Sequence, residues 1–236
     1  MSRDLARRSL AEFVGTAFLV AAVIGSGIAA VRLSPHDVGL QLLENSVITG
    51  AVLVALILAL QPVSAAFNPV VTLVERALGA ISSREAGAMI IAQMAGGVVG
   101  AVTANLMFGL SAVNLSTRSR EGNGVWLGEV VATLGLLIII FGTVRAGRSD
   151  RVAYAVGGYI LAAYWFTSST SFANPAVTVA RMLSNSFAGI APSSVLLFVL
   201  MQLVGGVLGY ALIRALYPAA STIAARAAVS PLKDKP

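Results

Sequence analysis

The chain has 236 residues, 57% hydrophobic and 11% charged, with mean hydropathy +0.87 and a formal net charge of +6. A soluble domain carries about 25% charged residues, so this composition excludes a soluble enzyme, a disordered chain and a coiled coil. There is no cysteine and His36 is the single histidine, which excludes disulfides, thiolate or histidine metal centres and a thiol nucleophile.

Six apolar segments of spanning length run over 10–31, 42–60, 86–110, 126–144, 152–167 and 195–216, the fifth being the shortest. The first follows Arg3, Arg7 and Arg8 as a signal peptide would, but its length and the five similar segments behind it make it a retained helix. Two further apolar stretches, 68–78 and 174–183, are too short to span, and both open with Asn-Pro. Asn is a good N-cap, and Pro suits the first helical turn because its missing N–H needs no partner there. Each stretch therefore predicts a half-helix. His36 and Asp37 fall in a short outer loop, and 219–236 reads as a cytoplasmic tail. With both termini in the cytoplasm, all Lys and Arg except Arg32, Arg118, Arg120 and Arg181 lie inside, as the positive-inside rule requires. Positive charge in so apolar a chain sets orientation and does not point to nucleic acid.

The chain repeats itself. Glu12-Phe13-Val14-Gly15-Thr16 answers to Glu129-Val130-Val131-Ala132-Thr133, and Asn68-Pro69-Val70-Val71-Thr72 to Asn174-Pro175-Ala176-Val177-Thr178. Gln93 with Gly96, Gly97 and Gly100 answers to Gln202 with Gly205, Gly206 and Gly209. The order is kept at offsets of 117, 106 and 109 residues. Each copy, roughly 8–110 and 125–217, holds three spans and one half-helix. Three is odd, so the second copy enters the membrane inverted. The predicted fold is an all-α membrane protein: six transmembrane helices plus two re-entrant half-helices, forming one channel domain over 1–236.

The inversion brings the two Asn-Pro turns together near the midplane. Non-helical backbone at that depth must line a cavity or be buried in protein. Each half-helix presents about half a positive charge at its N-terminus, so the pair repels cations. Asn68 and Asn174 can each offer an amide N–H to a passing oxygen. A neutral hydroxylated solute or water suits such a path, and no enzymatic chemistry or cofactor does. Glu12 and Glu129 are ionisable groups near span starts, read as braces for the pore-loop backbone. The glycine runs predict close helix packing. Tyr164, Trp165 and Phe166 read as an interfacial belt, with pore lining the other possibility.

These motifs resemble the aquaporin and aquaglyceroporin channels over nearly the whole chain. The residues that carry the resemblance are Ala11-Glu12-Phe13, Gly15-Thr16, Phe67-Asn68-Pro69-Val70-Val71-Thr72, Ala92-Gln93, Gly96 and Asn174-Pro175-Ala176. The resemblance implies a homotetramer with one pore per subunit, in which Asn68 and Asn174 are the paired pore asparagines. It also implies a bacterial inner-membrane location. The first box departs from the family pattern in carrying Val70 where Ala is usual.

The family usually has an arginine directly after the second box, and Val177 stands there. Carrying over the other selectivity-filter positions gives Thr49 (or Ile48), Ala162 (or Ala163) and Ser171. That filter is small, with no ring and no cation, and implies a wide passage. The run from Thr170 to Thr178 is similar to the bacterial aquaglyceroporin S group linked to arsenic resistance, which implies passage of neutral arsenite, As(OH)3. A water or glycerol facilitator is the alternative. A secondary active transporter is the alternative of another class, since inverted repeats with broken helices also build those. Arg181, one turn beyond Val177, is either a displaced cation at the outer mouth or a snorkelling interfacial arginine. Its counterpart in the first repeat is Glu75, followed by Arg76.

Overall fold

The computed structural model describes residues 2–218. Within them the helices are α1 (Arg3–Leu33), α2 (Val38–Leu60), α3 (Pro69–Ala77), α4 (Ser83–Met107), α5 (Asn123–Arg145), α6 (Val152–Phe166), α7 (Pro175–Arg181) and α8 (Pro192–Leu216). The predicted tail lies outside the described residues. Five of the long helices are apolar enough to cross a membrane. The sixth span, α6, has 15 residues, with one 3-10 turn over Ser149–Arg151 before it and a turn over 167–170 after it. The fold is all-α, with six transmembrane helices and two re-entrant half-helices.

Helix ends follow local chemistry. The first helix starts well before its apolar run because the Ser2 hydroxyl accepts from the Leu5 N–H at 3.2 Å. Ser82 and Glu85 form a reciprocal capping box at the start of α4. Gly109, at φ +73°, follows the end of α4 and stops it short of residue 110.

The repeat symmetry governs packing. Helix α1 packs along α4 and α5 along α8, while α2 packs on α6. Glycines make the two long contacts close. A Cβ on Gly96 or Gly100 would collide with the carbonyls of Phe13 or Ala17. In the second copy, a Cβ on Gly205 would stand 2.7 Å from the Val130 carbonyl oxygen. The adjacent glycines face elsewhere. Gly97 opens toward Ala176 and Gly206 toward Val70, so each copy receives the half-helix of the other. The half-helices thereby meet tip to tip inside the helix bundle.

Candidate functional site

Each half-helix begins at its Asn-Pro turn. The Asn68 side-chain oxygen accepts from the Val70 N–H at 3.0 Å, and that of Asn174 from Ala176 at 3.0 Å and Val177 at 3.3 Å. The same amides cross between the repeats. Asn68 Nδ2 donates to the Ala173 carbonyl at 2.7 Å, and Asn174 Nδ2 donates to the Phe67 carbonyl at 2.7 Å. One N–H of each amide is used in this way, and among the described residues the second has no protein acceptor.

The residue before each Asn is left-handed, Phe67 at φ 47° and Ala173 at φ 49°. That conformation costs an L-residue about 1–2 kcal/mol. Two buried carboxylates hold it. Glu12 accepts from the N–H groups of Ala66 at 2.9 Å and Phe67 at 2.7 Å, from the Ser64 hydroxyl and from the Gln93 amide. Glu129 accepts from Phe172 and Ala173, both at 2.9 Å, and from the Gln202 amide. Gln93 and Gln202 continue to Thr72 and Thr178, whose hydroxyls return to the carbonyls of Asn68 and Asn174. The network is closed on both sides of the pseudo-axis. Gly15 has its own reason: a Cβ there would collide with the Phe67 ring. Its counterpart is Ala132, opposite a repeat in which Ala173 replaces Phe67.

Asn68 and Asn174 line one passage with a cavity volume of about 130 Å³. Thr49, Ser171 and Val177 line it toward α7, while Ile48 faces outward at 46% exposure. Ala162 is exposed on the outer surface of α6 and does not line the passage, and its alternative Ala163 is fully buried in packing. The face α6 turns inward is Val152, Val156, Ile160 and Tyr164. This series has helical spacing, and Ala162 lies about 200° around the helix from Tyr164. The Tyr164 hydroxyl is 3.1 Å from Thr49 Oγ1. The aromatic triplet thus splits. Tyr164 lines the passage, while Trp165 and Phe166 are 49% and 57% exposed.

Arg181 lines the passage too and is 2% exposed, so it does not snorkel. Its guanidinium sits 3.4 Å from the centroid of Phe172, its Nε donates to the Ala188 carbonyl, and its side chain interacts with Tyr164. The expectation of four small side chains without ring or cation is therefore corrected at this end of the passage. Arg120, one of the four outer cations, lies over Phe172 as well, at 4.8 Å. It donates to the carbonyl of Gly189 at 2.9 Å and to that of Ser169 at 3.4 Å. Burial, then the like charges of Arg181 and Arg118, push its pKa down to about 9. Arg120 comes from a loop that has no periodicity to read. Tyr164 continues the fourfold spacing of Val152, Val156 and Ile160 on the inward face of α6, a phase that a uniformly apolar segment does not reveal. Among the described residues no cluster of His, Cys, Asp and Glu could hold a metal ion.

An inverted repeat whose two half-helices meet on a lined passage is the architecture of a multi-pass membrane pathway for small solutes. The chain belongs to the major intrinsic protein family, whose model matches residues 1–163 and 146–234. It is 48% identical over 212 residues to the aquaglyceroporin AqpS of Rhizobium meliloti (strain 1021), covering 89% of this chain and 90% of that protein. It is 29% identical over 219 residues to the aquaporin NIP1-1 of Zea mays, covering 88% and 75%. Its fold matches the X-ray structure of the aquaglyceroporin from Plasmodium falciparum with a TM-score of 0.72 at 18% identity, over 92% of this chain and 99% of that one.

Proposed function

We propose that the passage conducts small neutral hydroxylated solutes passively, with glycerol, arsenite and water as its substrates. The observation that carries this reading is the two-sided lining at the Arg181 end. Thr49, Tyr164 and Arg181 offer polar groups, and Val177 and Phe172 offer apolar surface. A polyol or a compact trihydroxy acid presents the same division, with hydroxyls on one edge and apolar or weakly solvated surface on the other. The free amide N–H groups of Asn68 and Asn174 then receive the hydroxyl oxygens at the tip of each half-helix. Two positive helix ends and Arg181 repel cations along the same path. Identity to a protein named an aquaglyceroporin supports solutes beyond water, and the likeness of 170–178 to the arsenic-linked group supports arsenite. With Tyr164 and Arg181 in the lining, selectivity comes from the chemistry and the size of this amphipathic ring of side chains. The family resemblance supports a homotetramer in a bacterial inner membrane, and the charge distribution supports both termini in the cytoplasm.

Stopped-flow light scattering on proteoliposomes tests the reading, with arsenite loading followed by elemental analysis and no ion gradient present. Fast, non-saturating glycerol and arsenite uptake is the expected result. Water conductance without either solute would overturn the solute assignment, and uptake that saturates and needs an ion gradient would indicate a transporter.

A further inference from the structure

The inverted repeat sets Glu75 and Arg181 at equivalent positions, 106 residues apart, each seven residues after its Asn. Both line the passage, one at each end. The pseudo-symmetry is kept in position and reversed in charge. Arg181 is held in place by the Phe172 ring and by its Nε donating to the Ala188 carbonyl. Glu75 is different. It is half-buried, and among the described residues it takes part in no salt bridge. The nearby charges are committed elsewhere: Arg8 pairs with Glu85 at 2.8 Å, and Glu12 holds the pore-loop backbone. The adjacent Arg76 is exposed and donates to the Ser83 hydroxyl at 2.8 Å.

Every other fixed charge on the passage is positive. The two half-helix N-termini point into it and Arg181 lines it; behind the lining stand Arg120 and Arg118 near Arg181, and the carboxylates of Glu12 and Glu129, which are engaged by the pore-loop N–H groups. Such a path repels cations, and for the same reason it attracts small anions. Among the described lining residues Glu75 is the only acid. We propose that Glu75, when ionised, is the anion barrier of this channel: a specificity residue that makes weak acids cross only in their neutral, protonated form. A carboxylate facing a narrow, low-dielectric path acts on a passing anion with little screening. The opposite charges at the two ends together reject both signs of ion and leave neutral hydroxylated solutes, so the proposal rests on the neutral-solute reading above.

The test uses the full chain in proteoliposomes at an alkaline pH of about 9.5. Chloride influx is followed with a trapped halide-quenched dye and expressed relative to water permeability of the same vesicles, with glycerol uptake measured in parallel. Glu75→Gln is isosteric and removes only the charge. It should raise the chloride-to-water ratio at least about fivefold, the effect of one nearby unit charge. Glu75→Asp restores the charge and should bring the ratio back toward the parent. Arg76→Gln changes the neighbouring exposed charge and should not raise it. An unchanged ratio in Glu75→Gln, or an equal rise in Arg76→Gln, overturns the assignment to Glu75 whatever glycerol does. A parent channel that conducts water but excludes glycerol overturns the neutral-solute reading whatever chloride does.

Discussion

Val70 occupies the space that Gly206 leaves open: a Cβ at position 206 would stand 2.7 Å from Val70 Cγ1. The equivalent contact in the other repeat is between Gly97 and Ala176, where the third box residue is small and the nearest atom is a backbone oxygen at 3.1 Å. The extra bulk of Val70 is therefore absorbed by a glycine on α8, and Val70 is 1% exposed. Gly206→Ala should destabilise the protein through overpacking worth about 1–3 kcal/mol, partly offset by the roughly 1 kcal/mol helix preference of Ala over Gly. Val70→Ala in the same chain should recover most of the loss. Thermal unfolding of the four species in detergent gives the coupling between the two sites, expected at about 0.5–3 kcal/mol. Additive single effects would show that the two residues do not press on each other.

The carboxylate braces make a second prediction. Glu129 accepts two loop N–H groups and the Gln202 amide. In Glu129→Gln one acceptor oxygen is replaced by a donor, so a loop N–H or the Gln202 amide faces an NH₂ group. Leaving one buried donor unmet costs about 1–3 kcal/mol. The left-handed turn at Ala173 then loses what holds it. Water permeability per folded channel should fall, together with the unfolding temperature. Glu12→Gln should behave alike through Phe67, since its contacts repeat those of Glu129. A variant that melts earlier but conducts normally would show that the carboxylate stabilises the fold without shaping the passage.

Much of this architecture is legible in the sequence because it is carried by chemistry that has few substitutes. Asn-Pro defines a half-helix start from one dipeptide, and the offsets between the Glu, Asn-Pro and Gln-Gly-Gly motifs give the inverted repeat. The side chains around Val177 are harder to read. Spacing from a family pattern carries over Ser171, which sits beside the second Asn-Pro box, but reaches Thr49 only by counting back from the first pore loop, which leaves Ile48 open. It misses on α6, where the segment has no polar anchor to fix the helical phase. An error of two residues there turns Tyr164 into Ala162 and reverses the face. Arg120 is unreadable for another reason: its position depends on a loop fastened by backbone hydrogen bonds from Asn114 and Ser116 to Leu183 and Met182.

Tyr164 should set the size limit at the Arg181 end. Its ring lines the passage and its hydroxyl meets Thr49 at 3.1 Å. Tyr164→Ala removes the ring and should raise uptake of polyols longer than glycerol more than it raises water flow. Tyr164→Phe keeps the ring and removes the hydroxyl. It should keep the size limit and weaken preference for hydroxylated solutes. A series of linear polyols in the light-scattering assay separates the two effects. Equal size cut-offs in the parent and the Ala variant would move the narrowest point away from Tyr164.

Val177 carries the sharpest prediction, because it lies next to a cation already in place. Val177 and Arg181 are one helical turn apart on α7 and both line the passage. Side chains at that spacing have Cβ atoms about 5–6 Å apart. Val177→Arg would bring a second guanidinium beside the first and fill the apolar side of the path that Val177 and Phe172 provide. Both effects act against solutes wider than water. Glycerol and arsenite uptake should fall by about tenfold or more, which corresponds to about 1.4 kcal/mol on the barrier, while water is reduced less. Val177→Arg combined with Arg181→Val moves the cation inward by one turn without adding charge. If repulsion between the two guanidiniums distorts the single variant, the double variant should conduct water better than the single one and still reject the larger solutes. Unchanged glycerol uptake in Val177→Arg would show that the narrow point lies elsewhere along the passage.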